Sequence, residues 1–241
     1  MAAIATSYAI EDQRRMSAAR NYFAWQAALV RPELGRRVME VGCGIGNFTA
    51  SLLDREVVIA VDRDADCLAE LKRRYPDRGN LHSLHADAAD VSEAARFRPD
   101  SCVCLNVLEH IEDDQAALRS MASILPRSGK IVLLLPAFPS LYGPIDRNLG
   151  HYRRYHRASL ARLADEAGPE IAKMRYANLP GFFGWWMNAR ILKREAQSPL
   201  QIHAFDRYAM PAIARVEGMV TPPFGQSLFA VLTRKEDLPA I

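Results

Sequence analysis

Three glycines at alternate positions, Gly42, Gly44 and Gly46, occupy EVGCGIGNFTASLL (40–53), directly after the start of the apolar run VMEV (38–41). Glycine permits positive φ and lets a ligand approach the backbone closely. The junction therefore reads as a strand passing through a tight loop into a helix that carries Phe48, Leu52 and Leu53. The theme then repeats. VVIAV (57–61) leads into a helix with Leu68, Leu71 and Tyr75, followed by LHSLHA (81–86) and SCVCLN (101–106). A helix through Leu118, Met121 and Leu125 precedes a fifth run, KIVLLL (130–135). Runs of Val, Ile and Leu without polar alternation suit strands buried on both faces. The order predicts an α/β fold, a doubly wound and mostly parallel sheet with helices on both faces and ligands beyond the carboxyl ends of its strands.

The flanks are less regular. Residues 11–30 carry Met16, Ala19, Tyr22, Phe23, Trp25 and Leu29 at mixed helical spacing, which predicts an N-terminal helix. After the fifth run, Leu160, Leu163 and Ala167 mark a helix ended by Gly168-Pro169, and IAKMRYAN (171–178) reads as a strand. GFFGWWMNARILKR and AFDRYAMPAIARVEGM look largely helical, and SLFAVLTRK (227–235) closes the chain as a seventh strand. One domain in four parts is expected: a helical cap (1–35), a cofactor-binding core (36–136), an acceptor-binding loop with helices (137–226) and the final strand (227–235).

Composition narrows the function. Of 241 residues, 49% are hydrophobic and 24% charged, and the net charge of +3 lacks the concentrated basic face of a nucleic-acid binder. Cys43, Cys67, Cys102 and Cys104 have no metal-ligand spacing and lie in apolar segments, so buried reduced thiols are expected and no metal. The N-terminal stretch does not read as a secretory signal, and no apolar run approaches the roughly 20 residues that span a bilayer. The expectation is a cytoplasmic protein, monomeric or homodimeric.

Further stations lie at the ends of successive apolar runs. VDRD places Asp62 at the edge of the second strand, where a carboxylate can accept both hydroxyls of a ribose. HADAAD places Asp87 at the end of the third, suited to an adenine amino group, and NVLEHI places Asn106 at the end of the fourth. With EVGCGIGNFT, VDRD, HADAAD and DSCVCLNVLEHIED, residues 36–136 resemble the class I S-adenosylmethionine-dependent methyltransferases. The resemblance implies a last strand running antiparallel and S-adenosylmethionine as cofactor. It further implies that Glu40 and the Gly42–Gly46 loop receive the methionine part, and that Asp62, with Arg63 beside it, holds the ribose. Asp87 and Ala88 would face the adenine, and Asn106 would lie near the sulfonium. The G-x-G-x-G spacing differs from the dinucleotide fingerprint, and no Tyr-x-x-x-Lys pair is well placed for hydride chemistry, which counts against a nicotinamide enzyme. A methyltransferase-like protein that binds the cofactor without turnover is the other alternative.

LYGPIDRNLGHYRRYH (141–156) shows no periodicity and leaves the fifth strand over the same crevice, as acceptor-binding loops on rigid scaffolds do. Arg153 and Arg154 can take a carboxylate or phosphate in forked hydrogen bonds, and Tyr142, Tyr152 and Tyr155 offer flat apolar faces with a hydroxyl. His151 is the general-base candidate, with Asp146 to orient it or to bind a substrate hydroxyl, and Tyr155 beside it. The competing reading is a solvated face in which Arg147, Arg153 and Arg157 pair with Asp146. Glu109 and His110 are rival base candidates, with helix-start packing the expected role. Phe182, Phe183, Trp185, Trp186 and Met187, followed by Arg190, Lys193 and Arg194, suit a core helix, an acceptor pocket, a dimer face or a membrane-surface contact. A small or lipid-like acceptor with an anionic group is expected; a lipid-linked sugar or isoprenoid at a membrane surface is the alternative.

Overall fold

The computed structural model describes residues 10, 11, 13–196 and 198–234. Seven strands form one sheet in the order β3-β2-β1-β4-β5-β7-β6. They are β1 (Arg37–Val41), β2 (Val57–Asp62), β3 (Leu81–His85), β4 (Ser101–Leu105), β5 (Lys130–Pro136), β6 (Glu170–Ala177) and β7 (Ser227–Thr233). β1 to β5 pair in parallel, and β7 runs antiparallel between β5 and β6, as the family resemblance implied. The order turns back on itself at β1 and β4, so a crevice opens beyond their carboxyl ends.

The helices are α1 (Arg20–Val30), α2 (Ala65–Arg74), α3 (Asp114–Ser123), α4 (Pro144–Asn148), α5 (Arg157–Ala167), α6 (Leu179–Trp186), α7 (Pro199–Ala204) and α8 (Met210–Glu217). Local chemistry sets their ends. The Asp64 side chain accepts from the N–H groups of Asp66 and Cys67 to open α2, and Gly168 at φ 112° closes α5. On one face of the sheet, Met39, Ile59, Cys102 and Leu133 pack against Leu118 of α3 and Leu160 of α5. On the other, Val38, Val58, Val103 and Val132 pack against Trp25 of α1 and Ile213 of α8. The N-terminal helix is thus part of the core, and all four cysteines are buried and free.

Three expectations change. The helix after the glycine loop is a short 3-10 turn, Thr49–Leu52, because β2 already begins at Val57 and leaves no room for several turns. The helix expected over 11–30 is interrupted at residues 17–19. The segment 141–156 holds α4, and its far end returns to the sheet: Tyr155 N–H donates to Pro136 and Phe138 N–H to Tyr155, at 2.8 Å each. Lys235, assigned to the last strand, lies outside the described residues.

Candidate active site

A cavity of about 790 Å³ opens at the β1/β4 rim, within the usual range for small-molecule sites of about 300–1,000 Å³. Its walls come from the glycine loop, the segment after β4, the polar ribbon after β5, α1 and the helices after β6.

At its cofactor end, Gly42 has φ +73°, and a side chain there would meet Val107 Cγ2 at 2.3 Å, so only glycine lets β1 turn past the β4 loop. Asp62 braces this loop: its Oδ2 accepts from Gly44 N–H at 2.7 Å and its Oδ1 from Asp64 N–H at 2.9 Å. Asn106 adopts φ 54°, which turns the chain sharply beyond β4. Asp87 is exposed, Ala88 is buried and Arg63 is exposed. Asp62, Arg63, Asp87 and Ala88 stand along the same rim but do not line the cavity.

Glu40 lines it, almost fully buried, and accepts from the Thr49 hydroxyl at 2.6 Å. Burial pushes its carboxyl up to about 8, with the Thr49 bond opposing and the Asp62 charge adding. A pKa raised on folding adds stability that is fully present below the unfolded value of 4.5 and is lost as pH rises through about 8. Ligand-free protein is therefore expected to lose up to about 1.4 kcal/mol per pH unit within that window from this group alone. Glu40→Gln should flatten the profile, read by urea unfolding between pH 5 and pH 8.5; parallel profiles would refute the assignment.

The ribbon end is built around Asp146, which is fully buried. Its Oδ1 accepts from His151 Nδ1 at 2.9 Å and Arg154 Nε at 2.7 Å, and its Oδ2 from Gly143 N–H at 2.9 Å. Burial opposes its charge, but the His151 hydrogen bond and the Arg154 charge outweigh it and hold the carboxyl below the usual range. His151 and Arg154 both face the cavity, and Arg154 also lies 4.7 Å over the Trp185 ring.

Several sequence expectations are corrected here. Tyr155 is a core residue whose hydroxyl donates to Asp114 at 2.7 Å, and burial drives its pKa far up. It lies away from the cavity, so it is no catalytic candidate. Arg153 pairs with Asp114 at 2.8 Å, Tyr152 is 55% exposed, and the Tyr142 hydroxyl donates to the His151 carbonyl at 2.7 Å; none of the three lines the cavity. Arg154 is committed to Asp146 rather than available as a forked anion clamp.

Other lining residues hold a more central place than the sequence suggests. Glu109 is fully buried with both oxygens lacking a hydrogen-bond partner, and burial lifts its carboxyl to about 7 against the charges of His151 and Arg154. His110 stacks edge-on against His151, with ring centroids 4.5 Å apart, and burial, reinforced by His151, depresses it to about 3. Trp185 Nε1 also lacks a partner. From α1, Tyr22 and Gln26 also line the cavity, and burial pushes the Tyr22 hydroxyl up to about 12. The sequence offers Glu109 and His110 as rival bases and Trp185 within an aromatic cluster, whereas Tyr22 reads only as a helix residue.

A family described as "Methyltransferase domain" matches residues 8–173. A ubiquinone biosynthesis O-methyltransferase from Neisseria meningitidis is 24% identical over 155 residues, which are 57% of this chain and 65% of that protein. An uncharacterized methyltransferase from Mycobacterium tuberculosis is 33% identical over 105 residues, 43% of this chain and 52% of that one. Among solved structures, a SAM-dependent methyltransferase from Thermotoga maritima superposes with a TM-score of 0.63 at 16% identity, covering 93% of this chain and 95% of that one. The chain spans 24% to 65% of the length of the first curated relatives it matches.

Proposed function

Given that the chain belongs to the methyltransferase-domain family, we propose that it methylates a small or lipid-like acceptor from S-adenosylmethionine. The observation that carries this reading is the single cavity in which Glu40, the glycine loop and Asn106 meet the Glu109–His110–His151 cluster. The residues fit the donor. Gly42 and Gly44 turn the loop through positive φ, with Val107 and Gln13 packed where a Cβ would sit, Glu40 offers a buried carboxyl to a cationic group, and Asp62 stands at the rim for a ribose. Asp87 and Ala88 are the residues for the adenine, with Arg63 flanking the ribose. When bound, S-adenosylmethionine supplies an electrophilic methyl group on a sulfonium.

The chain's own task is then to hold a nucleophile in place, which can supply roughly 7–11 kcal/mol of the barrier in well-oriented cases. Asp146 fixes the His151 ring, and the Glu109–His110–His151 cluster manages the acceptor's proton. An acceptor oxygen would also find the unpartnered Trp185 N–H, while an anionic group would meet Arg147 at the exposed side of the cavity. Calorimetric titration with S-adenosylmethionine, S-adenosylhomocysteine and NAD tests the reading. Binding of the two adenosyl thioether and sulfonium ligands without NAD is expected; failure of both would overturn it.

One observation favours a membrane-surface acceptor as a second reading. Phe183, Trp186, Met187, Ile191 and Leu192 are 44–59% exposed, and the cationic Arg190 and Arg194 lie in the same stretch. Apolar groups joined to basic ones bind anionic interfaces. The double variant Phe183→Ser/Trp186→Ser should then reduce binding to anionic vesicles by about tenfold or more, given roughly 1.5–3 kcal/mol per fully buried large apolar side chain. A wild-type protein that pellets with neither anionic nor neutral vesicles would rule this reading out.

A further inference from the structure

Glu109, His110 and His151 each offer one ligand atom, and these atoms lie within 4.8 Å of one another where all three residues face the cavity. One ion about 2.0–2.2 Å from each donor needs donor separations of roughly 3–4 Å, so small side-chain rotations close the gap. Glu109 supplies an independent observation: it is fully buried, lines the cavity, and has no hydrogen-bond partner on either oxygen. Burying a carboxyl without a partner is costly, and such a group calls for a missing one.

Both imidazoles are held in place. His151 Nδ1 is bound to Asp146 Oδ1 at 2.9 Å, which leaves Nε2, and the His110 ring packs edge-on against the His151 ring, with centroids 4.5 Å apart. Asp146 is in turn held by Gly143 N–H and by Arg154. Metal-binding histidines are fixed by such outer partners, a carboxylate or a backbone carbonyl on the nitrogen that does not ligate.

We propose that Glu109, His110 and His151 bind a divalent transition-metal cation of the Mn²⁺ to Zn²⁺ series, leaving open positions toward the cavity for an acceptor oxygen. Two imidazoles and one carboxylate favour that series over Mg²⁺ and Ca²⁺, which prefer oxygen donors throughout. A hydroxyl bound to the cation ionises more readily: its O–H bond breaks, the proton passes to solvent water, and the oxygen stays on the metal. His151 is then a ligand, not the free base that its sequence position suggested. The cation site stands on these residues alone, whereas its action on an acceptor rests on the methyl-transfer reading.

The test uses the full chain freed of metal by a chelator and titrated with Zn²⁺ by calorimetry and with Co²⁺ by absorption. One ion per chain is expected, with a Co²⁺ spectrum distinct from that of the hydrated ion. Glu109→Gln and His151→Ala should each lower affinity by about 100-fold or more, and Asp146→Asn by about 10–100-fold. His203→Ala, on exposed α7, should bind as the wild type does. A wild-type protein that takes up no stoichiometric ion, or a Glu109→Gln protein that binds as tightly, overturns the proposal. If Glu109→Gln does not fold, the wild-type Co²⁺ spectrum decides, and one matching the hydrated ion overturns it. S-adenosylhomocysteine titrated into the same samples separates the two readings: its binding without any cation uptake removes the metal site and leaves methyl transfer standing.

Discussion

Replacing Asp62 with Ala is expected to weaken S-adenosylhomocysteine binding by roughly 10²–10⁴-fold, taking two hydrogen bonds to a charged acceptor at about 1.5–3 kcal/mol each. The residue ends β2, and its two oxygens currently receive the N–H groups of Gly44 and Asp64. The same carboxylate thus braces the glycine loop and stands where ribose hydroxyls would arrive. Burial raises its pKa, so losing it removes a group that was costly to keep charged. Asp62→Asn separates the two duties, because its carbonyl can still receive Gly44 N–H while binding hydroxyls less strongly. Calorimetry on both variants checks this, and wild-type affinity in Asp62→Ala would take the residue out of the site.

The second large effect concerns folding. Asp146→Ala should cost about 3–5 kcal/mol, the range seen when one partner of a buried ion pair is removed. The Arg154 side chain is 1% exposed and Asp146 is fully buried, so the variant strands a guanidinium in the interior. Arg154 retains the Ala137 carbonyl at 3.1 Å, which satisfies one N–H but not the charge. The double variant Asp146→Ala/Arg154→Met should recover much of the loss, since it removes the stranded charge with its partner. Urea unfolding of the set is the measurement. A single variant within 1 kcal/mol of wild type, on the scale where about 1 kcal/mol is typical of point changes, would show the network to be dispensable.

The sheet was readable because its parallel strands are buried on both faces, which leaves unbroken apolar runs such as KIVLLL and VVIAV in the chain. The rim residues were readable for a related reason: Gly42, Asp62 and Asn106 directly follow or end such runs, so strand ends locate them. The missing helix after the glycine loop was not, because Phe48, Leu52 and Leu53 match helical spacing and only the early start of β2 forbids the turns. The acceptor side was the least legible. Tyr155 and Arg153 carry attractive chemistry in the sequence, but both are drawn to Asp114 at the start of α3, 39 to 41 positions away. His110 and His151 meet across some forty residues that include α3 and β5, and the path back depends on Tyr155 reaching Pro136. Local pattern does not encode such a return.

That return has an evolutionary consequence. The excursion between Pro136 and Tyr155 leaves and re-enters the sheet through adjoining backbone hydrogen bonds, so its two feet are tied together like the ends of a cassette. Closing a loop whose ends are already joined grows costlier only slowly with added length. Insertions and exchanges at the exposed positions of this cassette can therefore be taken up while strand register underneath stays as it is.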